Sequence, residues 1–277
     1  ANLKRIGEEF SKQDAGTLSI ATTHTQARYF LPEPVAALRK RHPKVQVVLH
    51  QGMPEQVARM LLAETADIGL ATESLGDFDE LVTLPCYEWQ HAVVVPRTHA
   101  LAGAERLSLE QLAGEPLVTY HPTVSGRSRI DAAFAKARLK PQVALEALDS
   151  DVIKTYVRLG LGVGIVAEMA VRDDPADAEL LSRPAGHLFG QNVARVAFRR
   201  GAYLRHFVYT FAELLSERLT RTLVERAMRG GGDDDTLCAS QAEGRYFPDD
   251  AWFYTDVSQA KVASDSNAIT QWMVQNM

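Results

Sequence analysis

Strand-like and helix-like segments alternate along most of this chain, and that order restricts the folds it can adopt. Residues 17–21, 45–52 and 66–72 are short apolar runs typical of buried strands. Residues 34–43 carry a proline in the first turn and close on His-Pro, as helices often do, and 54–66 are a second predicted helix. Because parallel strands need helical crossovers, the pattern predicts an α/β fold.

A second set of alternating elements follows. The predicted strands are 116–120, 142–148 and 163–167, and the predicted helices are 129–139 and 151–160. Residues 81–96 connect the two sets, a strand is predicted at 193–200, and one or two helices at 204–228. Two α/β units joined by more than one strand-like crossing would leave a cleft, and ligands of open parallel sheets bind in such crevices.

Composition excludes several classes of protein. Residues 1–230 hold 28 Lys/Arg and 27 Asp/Glu, and the formal net charge of −5 comes from the acidic residues 231–277. Without a clustered basic face, we do not expect this chain to bind DNA by itself. We also expect no membrane span and no signal peptide, which predicts a cytoplasmic protein. Cys86 and Cys238 have no disulfide or zinc spacing, so we expect neither metal nor cofactor.

The loop after the first strand concentrates small hydrogen-bonding side chains. Thr22, Thr23, Thr25 and Gln26 follow the strand and lead into a predicted helix. One such threonine would ordinarily serve as a helix N-cap, but capping uses a single hydroxyl and this loop offers three with a carboxamide. Together with backbone amides of the first turn, they could hold an oxyanion.

Polar residues also follow other predicted strands. Thr72 closes the third strand, Ser125 precedes the helix at 129–139, and Asp149 with Ser150 precede the helix at 151–160. Each alone would be a cap or turn residue, yet together they predict a polar ligand site. We find no nucleophile with a positioned base, so a sensor fits better than an enzyme.

The glycines of GLGVG at 160–164 do not predict a dinucleotide site. That fingerprint requires a strand before the glycines and a helix after them, and here the order is reversed. Gly160 or Gly162 is therefore predicted to end the preceding helix.

Several segments resemble the effector-binding domain of LysR-type transcriptional regulators, specifically the CysB and Cbl subgroup. They are GTLSIATTHTQARYFLP, HQGMPEQVA, ADIGLATE, LPCYEWQHAVVV, LVTYHPTVSGRS, SDVIKTYVRLGLGVGIVA and FRRGAYLRHFVYTF. The resemblance covers about residues 2–229. It implies a periplasmic-binding-protein-like fold, with two α/β subdomains and an interdomain ligand cleft.

The resemblance also implies a function and partners. The subgroup controls genes of sulfate assimilation, cysteine biosynthesis or sulfonate use. A small anionic effector would occupy the cleft: sulfate, O-acetylserine, N-acetylserine or adenosine phosphosulfate. The resemblance implies a homodimer or homotetramer. It also implies that promoter DNA is contacted through an N-terminal helix-turn-helix, which we expect to be missing upstream of residue 1.

Carried over by motif, six residues are implied as ligand-binding. They are Thr23, Thr25, Gln26, Thr72, Trp89 and Ser125. Ser125 stands where a family member has threonine before GRS, so the hydroxyl is kept while a methyl group is lost.

The implied domain organisation has four parts. Residues 1–15 would end a linker helix, 16–88 with 191–229 would form subdomain I, and 89–190 subdomain II. Residues 230–277 would be an acidic tail of unknown role.

Two alternatives remain open from the sequence. A solute-binding protein of an anion transporter would share the fold, and a trimmed signal peptide would leave no trace in the mature chain. An enzyme of sulfur metabolism is the other alternative, which the absence of an acid–base constellation disfavours.

Overall fold

The computed structural model describes residues 15–72, 75–171 and 177–230, and they form a two-lobed α/β fold. The strands are β1 (Gly16–Thr22), β2 (Val45–Gln51), β3 (Ile68–Thr72), β4 (Leu81–Pro96), β5 (Pro116–Tyr120), β6 (Gln142–Ala147), β7 (Val163–Ala167), β8 (Leu180–Pro184) and β9 (Gln191–Arg199). The helices are α1 (His24–Tyr29), α2 (Pro32–Arg41), α3 (Pro54–Leu62), α4 (Leu109–Ala113), α5 (Arg127–Lys136), α6 (Ser150–Arg158), α7 (Gly186–Phe189), α8 (His206–Leu215) and α9 (Arg221–Met228).

The strands run in the order β2-β1-β3-β9-β4-β7-β5-β6, and β8 pairs with β4. β1 is parallel to β2 and β3, with Ile20 opposite Ile68, and β5 is parallel to β6 and β7. β9 and β4 are antiparallel to their neighbours. The predicted α/β class and the β-α-β-α-β unit ending at Thr72 are therefore confirmed.

β4 joins the two lobes. Its residues 81–90 pair with β9, and from His91 onward it pairs with β7 and β8. We call the part built on β1, β2, β3, β9 and residues 81–90 lobe A, and the part built on residues 91–96, β5, β6, β7 and β8 lobe B. The segment predicted only as a connection is one 16-residue strand.

Each lobe has its own apolar core. In lobe A, Leu18 and Phe198 of the sheet are completely buried and belong to one cluster with Phe207 and Phe211 of α8. In lobe B, one cluster lies on the α5 side of the sheet and includes Phe134, and another lies on its α6 side. Burial of such side chains contributes about 1.5–3 kcal/mol each, so the apolar pattern fixes which sheet faces the helices cover.

Several predicted boundaries needed correction. The helix predicted for 54–66 ends at Leu62, because Glu64 adopts a left-handed φ of 58° and the Thr65 amide donates to the Met60 carbonyl at 2.9 Å. The segment predicted to hold one or two helices, 204–228, forms two, α8 and α9, in agreement with the prediction. β8 was not predicted.

Gly160 ends α6 as predicted. It has a left-handed φ of 78° and its amide donates to the Val157 carbonyl, while the Leu161 amide donates to Tyr156. These two bonds form a Schellman motif. Residues 1–14 of the predicted linker-helix segment and the acidic tail after residue 230 lie outside the described residues, and the predicted subdomain limits stay a prediction.

No helix among the described residues is long and apolar enough to cross a membrane.

Candidate functional site

A cavity of about 250 Å³ opens between lobe A and lobe B. Its lining includes Thr23 and Thr72, at the carboxyl ends of β1 and β3, and Tyr120 and Ala167, at the ends of β5 and β7. The carboxyl ends of parallel strands from both lobes thus face one space, where open α/β sheets bind ligands. All six predicted site residues line it: Thr23, Thr25, Gln26, Thr72, Trp89 and Ser125.

The polar residues that follow β1, Thr23, Thr25 and Gln26, line the cavity but have different surroundings. Thr23 occupies the N-cap position of α1, but within the described chain its hydroxyl makes no capping hydrogen bond. The helix-cap explanation therefore does not account for Thr23. Thr25 and Tyr120 both line the cavity, and the side-chain oxygen of Gln26 accepts from the Tyr87 hydroxyl. This bond orients Gln26 beside the cavity.

Thr72, Trp89 and Ser125 form a chain of hydrogen bonds along the cavity wall. The indole Nε1 of Trp89 donates to Thr72 Oγ1 at 3.0 Å. The Ser125 hydroxyl donates to the Thr72 backbone carbonyl at 2.9 Å, which joins lobe B to lobe A. In this arrangement the Ser125 proton is directed to protein, so Ser125 can meet a ligand only as an acceptor.

Tyr120 is a cavity residue that the sequence reasoning missed. Its side chain is 1% exposed, and its hydroxyl accepts from the Ala167 amide at 2.8 Å and lies 2.6 Å from Ser150 Oγ. Burial raises the pKa of Tyr120 to about 12, so the phenol stays protonated. Its place at the end of β5 was the available sequence signal.

The cavity lining combines polar side chains with a larger apolar surface. No lysine or arginine is among the described residues that line it. An anion would therefore be held by hydroxyl and amide groups, each worth roughly 1.5–3 kcal/mol toward a charged acceptor. Since one water molecule occupies about 30 Å³ of the liquid, the cavity has room for more than a single small oxyanion.

His24 and Asp149 belong to the cavity lining, and Asp151 lies close to both. His24, Asp149 and Asp151 place one possible metal-ligand atom each within 4.8 Å of one another. All three have protein partners: Asp149 Oδ1 accepts from the Val152 amide at 2.9 Å as the N-cap of α6, and His24 Nδ1 lies 3.2 Å from Gln51 Oε1. This is the capping alternative predicted for Asp149, and we assign no metal to the cluster.

Asp151 faces lobe A from the first turn of α6. Its carboxylate accepts from the Tyr29 hydroxyl at 2.5 Å and from Arg28 Nε at 2.8 Å. Burial acts to raise the pKa of Asp151, but the Tyr29 hydrogen bond and the nearby Lys154 and Arg28 cations outweigh it and hold that pKa below its ordinary value.

Comparison with known proteins gives this geometry a family. The LysR substrate binding domain matches residues 11–220. This chain belongs to the LysR family. It is 52% identical over 236 residues to the HTH-type transcriptional regulator CysB of Burkholderia cenocepacia, a match covering 85% of this chain and 75% of that protein. It is 45% identical over 228 residues to SsuR of the same organism, covering 82% and 74%.

A solved structure supports the LysR assignment and the fold class together. The cofactor-binding domain of the Cbl transcriptional regulator superposes with a TM-score of 0.74 at 43% identity, covering 77% of this chain and 93% of that one. The predicted periplasmic-binding-protein-like fold with two α/β subdomains is confirmed by such LysR neighbours.

Behind the cavity wall of this LysR domain lies a buried histidine. His91 is fully buried between the rings of Trp89 and Phe189, and within the described ranges neither of its ring nitrogens has a hydrogen-bond partner. Burial, with a smaller contribution from the charge of Arg129, lowers the pKa of His91 to about 4.

Gly126 covers His91 from the loop that carries Ser125. Its φ of 84° is left-handed, and a Cβ there would come within 2.7 Å of Trp89 and 2.9 Å of His91. Only glycine therefore allows this loop to lie directly on the aromatic wall.

Proposed function

We propose that this chain is the effector-sensing region of a LysR-type regulator that binds a small anion of sulfur metabolism in the cleft between its lobes. The observation that carries the proposal is the cavity at the strand ends of both lobes, whose described lining holds the uncharged donors of Thr23, Thr25 and Gln26 and no lysine or arginine. The similarity to CysB, SsuR and Cbl, and the sulfur-related roles implied by the sequence resemblance, favour sulfate, O-acetylserine, N-acetylserine or adenosine phosphosulfate.

Uncharged donors suit a sensor. Four or five hydrogen bonds to an anion, after ordering costs, give an affinity near the micromolar range, at about −8 kcal/mol. Such a ligand is released when its concentration falls. A binding role without catalysis is also favoured, because the Ser125 hydroxyl donates to a backbone carbonyl and the buried His91 does not reach it as a base.

The remaining parts of the proposal concern partners. We infer that effector binding biases closure of the lobes, and that a homodimer or homotetramer transmits this bias to DNA-binding domains at a promoter in the cytoplasm. The role of Thr23, Thr25, Gln26, Thr72, Trp89 and Ser125 in contacting the effector belongs to this proposal.

Isothermal titration calorimetry tests the effector and the loop together. Sulfate, O-acetylserine and N-acetylserine are titrated into the wild-type chain and into Thr23→Val, which removes a hydroxyl while keeping the side-chain shape. If Thr23 contacts the anion, losing a hydrogen bond to a charged acceptor weakens binding by about 10- to 100-fold.

The control is Thr222→Val, an exposed threonine on α9, which should bind like the wild type. No measurable heat with any of the three compounds and the wild type would refute the sensor role. Equal affinities of wild type and Thr23→Val would show that the loop after β1 does not hold the anion.

A further inference from the structure

Helix α1 combines two sets of side chains in six residues. Its N-cap and first turn present Thr23, Thr25 and Gln26 to the cavity. The same helix places His24, Arg28 and Tyr29 beside a single carboxylate of lobe B, that of Asp151.

So short a helix does not hold its own geometry. An isolated helix below about 12 residues is marginal in water, and α1 has no side-chain N-cap bond within the described chain. The position of Thr23 and Gln26 therefore depends on what α1 packs against in the folded protein.

Asp151 supplies that support from across the cleft. Its Oδ1 accepts from the Tyr29 hydroxyl at 2.5 Å, its Oδ2 accepts from Arg28 Nε at 2.8 Å, and His24 Nε2 lies 3.6 Å away. All three partners belong to α1, while Asp151 belongs to α6 of lobe B. The carboxylate thus joins the two lobes beside the cavity without being one of the described residues that line it.

Lys154 strengthens this arrangement from within α6. It is 1% exposed, its Nζ donates to Asp177 at 2.6 Å and to the Ala170 carbonyl at 2.8 Å, and it lies 5.3 Å from the centroid of the Tyr29 ring. A buried cation over the ring and an anion at its hydroxyl both orient Tyr29.

We propose that Asp151 is a positioning residue of the effector cleft: by binding Arg28 and Tyr29 it holds α1 against lobe B, and so keeps the Thr23–Gln26 loop in its ligand-binding geometry. The effector then binds to a loop that is already in place, and loss of the carboxylate adds an ordering cost to every binding event. This inference rests on the proposed function, because it concerns the affinity of the same cleft.

Two variants, one in each lobe, test the proposal. Asp151→Asn keeps the side-chain shape and removes the charge, and Tyr29→Phe removes only the hydroxyl. We expect each to weaken binding of sulfate, or whichever of the three compounds binds the wild type, about 5- to 20-fold by calorimetry. Because both changes weaken the Tyr29–Asp151 contact, the double variant should lose less affinity than the product of the two single losses.

Asp131→Asn is the matched control. Asp131 also accepts from an arginine Nε at 2.8 Å, that of Arg127, but the pair lies within α5 of lobe B. The Asp131→Asn substitution should leave the effector affinity unchanged.

Hydrogen–deuterium exchange of the ligand-free proteins separates positioning from general stability. Amides of residues 24–29 should exchange faster in Asp151→Asn than in wild type and Asp131→Asn, while amides of β5 and β7 exchange alike in all three. Restored affinity in Asp151→Glu would further support a role of the carboxylate itself.

The failures are distinguishable. Wild type that binds none of the three compounds refutes the proposed function and this inference with it. Wild type that binds, together with Asp151→Asn and Tyr29→Phe binding within about twofold of it, refutes the role of Asp151 alone.

Discussion

Acidification should destabilise this protein through His91 in particular. The imidazole is fully buried behind the cleft wall, and its pKa is lowered from 6.5 to about 4 mainly by burial. Between these two values the unfolded chain binds a proton that the folded chain does not. The contribution of His91 to the free energy of unfolding is therefore fully present above about pH 6.5, and it is lost as the pH falls toward 4.

The size of this effect follows from the pKa difference. Lowering the pKa from 6.5 to about 4 corresponds to about 3 kcal/mol when the pH lies below both values. Between about pH 7.5 and about pH 5 the expected loss is about 2 kcal/mol, which urea unfolding of a domain resolves.

The assay compares how the free energy of unfolding changes with pH in the wild type and in variants, because carboxylates and other histidines also titrate. Urea unfolding of wild type, His91→Gln and His91→Leu is measured at several pH values over that range. The wild type should lose about 2 kcal/mol more than either variant on acidification. Identical pH dependence in all three proteins would show that His91 is not buried as a neutral imidazole and would refute the reasoning.

Two further substitutions test the packing around the cleft. Gly126→Ala should destabilise by more than about 1 kcal/mol in urea unfolding, because its Cβ would meet Trp89 at 2.7 Å. Gly201→Ala has a similarly left-handed φ of 75° but no described atom within 4 Å of its Cβ, so it isolates backbone strain and should cost less. Lys154→Met should lower the free energy of unfolding by about 3 kcal/mol, since it leaves the largely buried Asp177 without one of its cations; a loss below about 1 kcal/mol would contradict this.

The local sequence pattern was sufficient to predict most of the helices and strands. Strands β5 and β7 have the predicted limits, because short apolar runs between turn residues depend on their own composition. Gly160 ended its helix as predicted for the same reason, since a left-handed residue is decided within one turn. The pairing of β4 was harder to predict, because its partners change at His91 and come from segments about 70 to 120 residues later in the chain.

For the candidate site, too, one part was predictable from the sequence and another part depends on the tertiary structure. The local pattern showed that small uncharged donors follow β1 and β3, and the six residues implied by the resemblance all line one cavity. The hydrogen bonds in and beside the cavity depend on long-range folding: Ser125 donates to a carbonyl 53 residues away, and Tyr29 donates to Asp151 across 122 residues. Asp151 by sequence is only an acid in the first turn of a helix. Its link between the lobes arises because folding brings α1 and α6 together, and residue spacing along the chain carries no record of that distance.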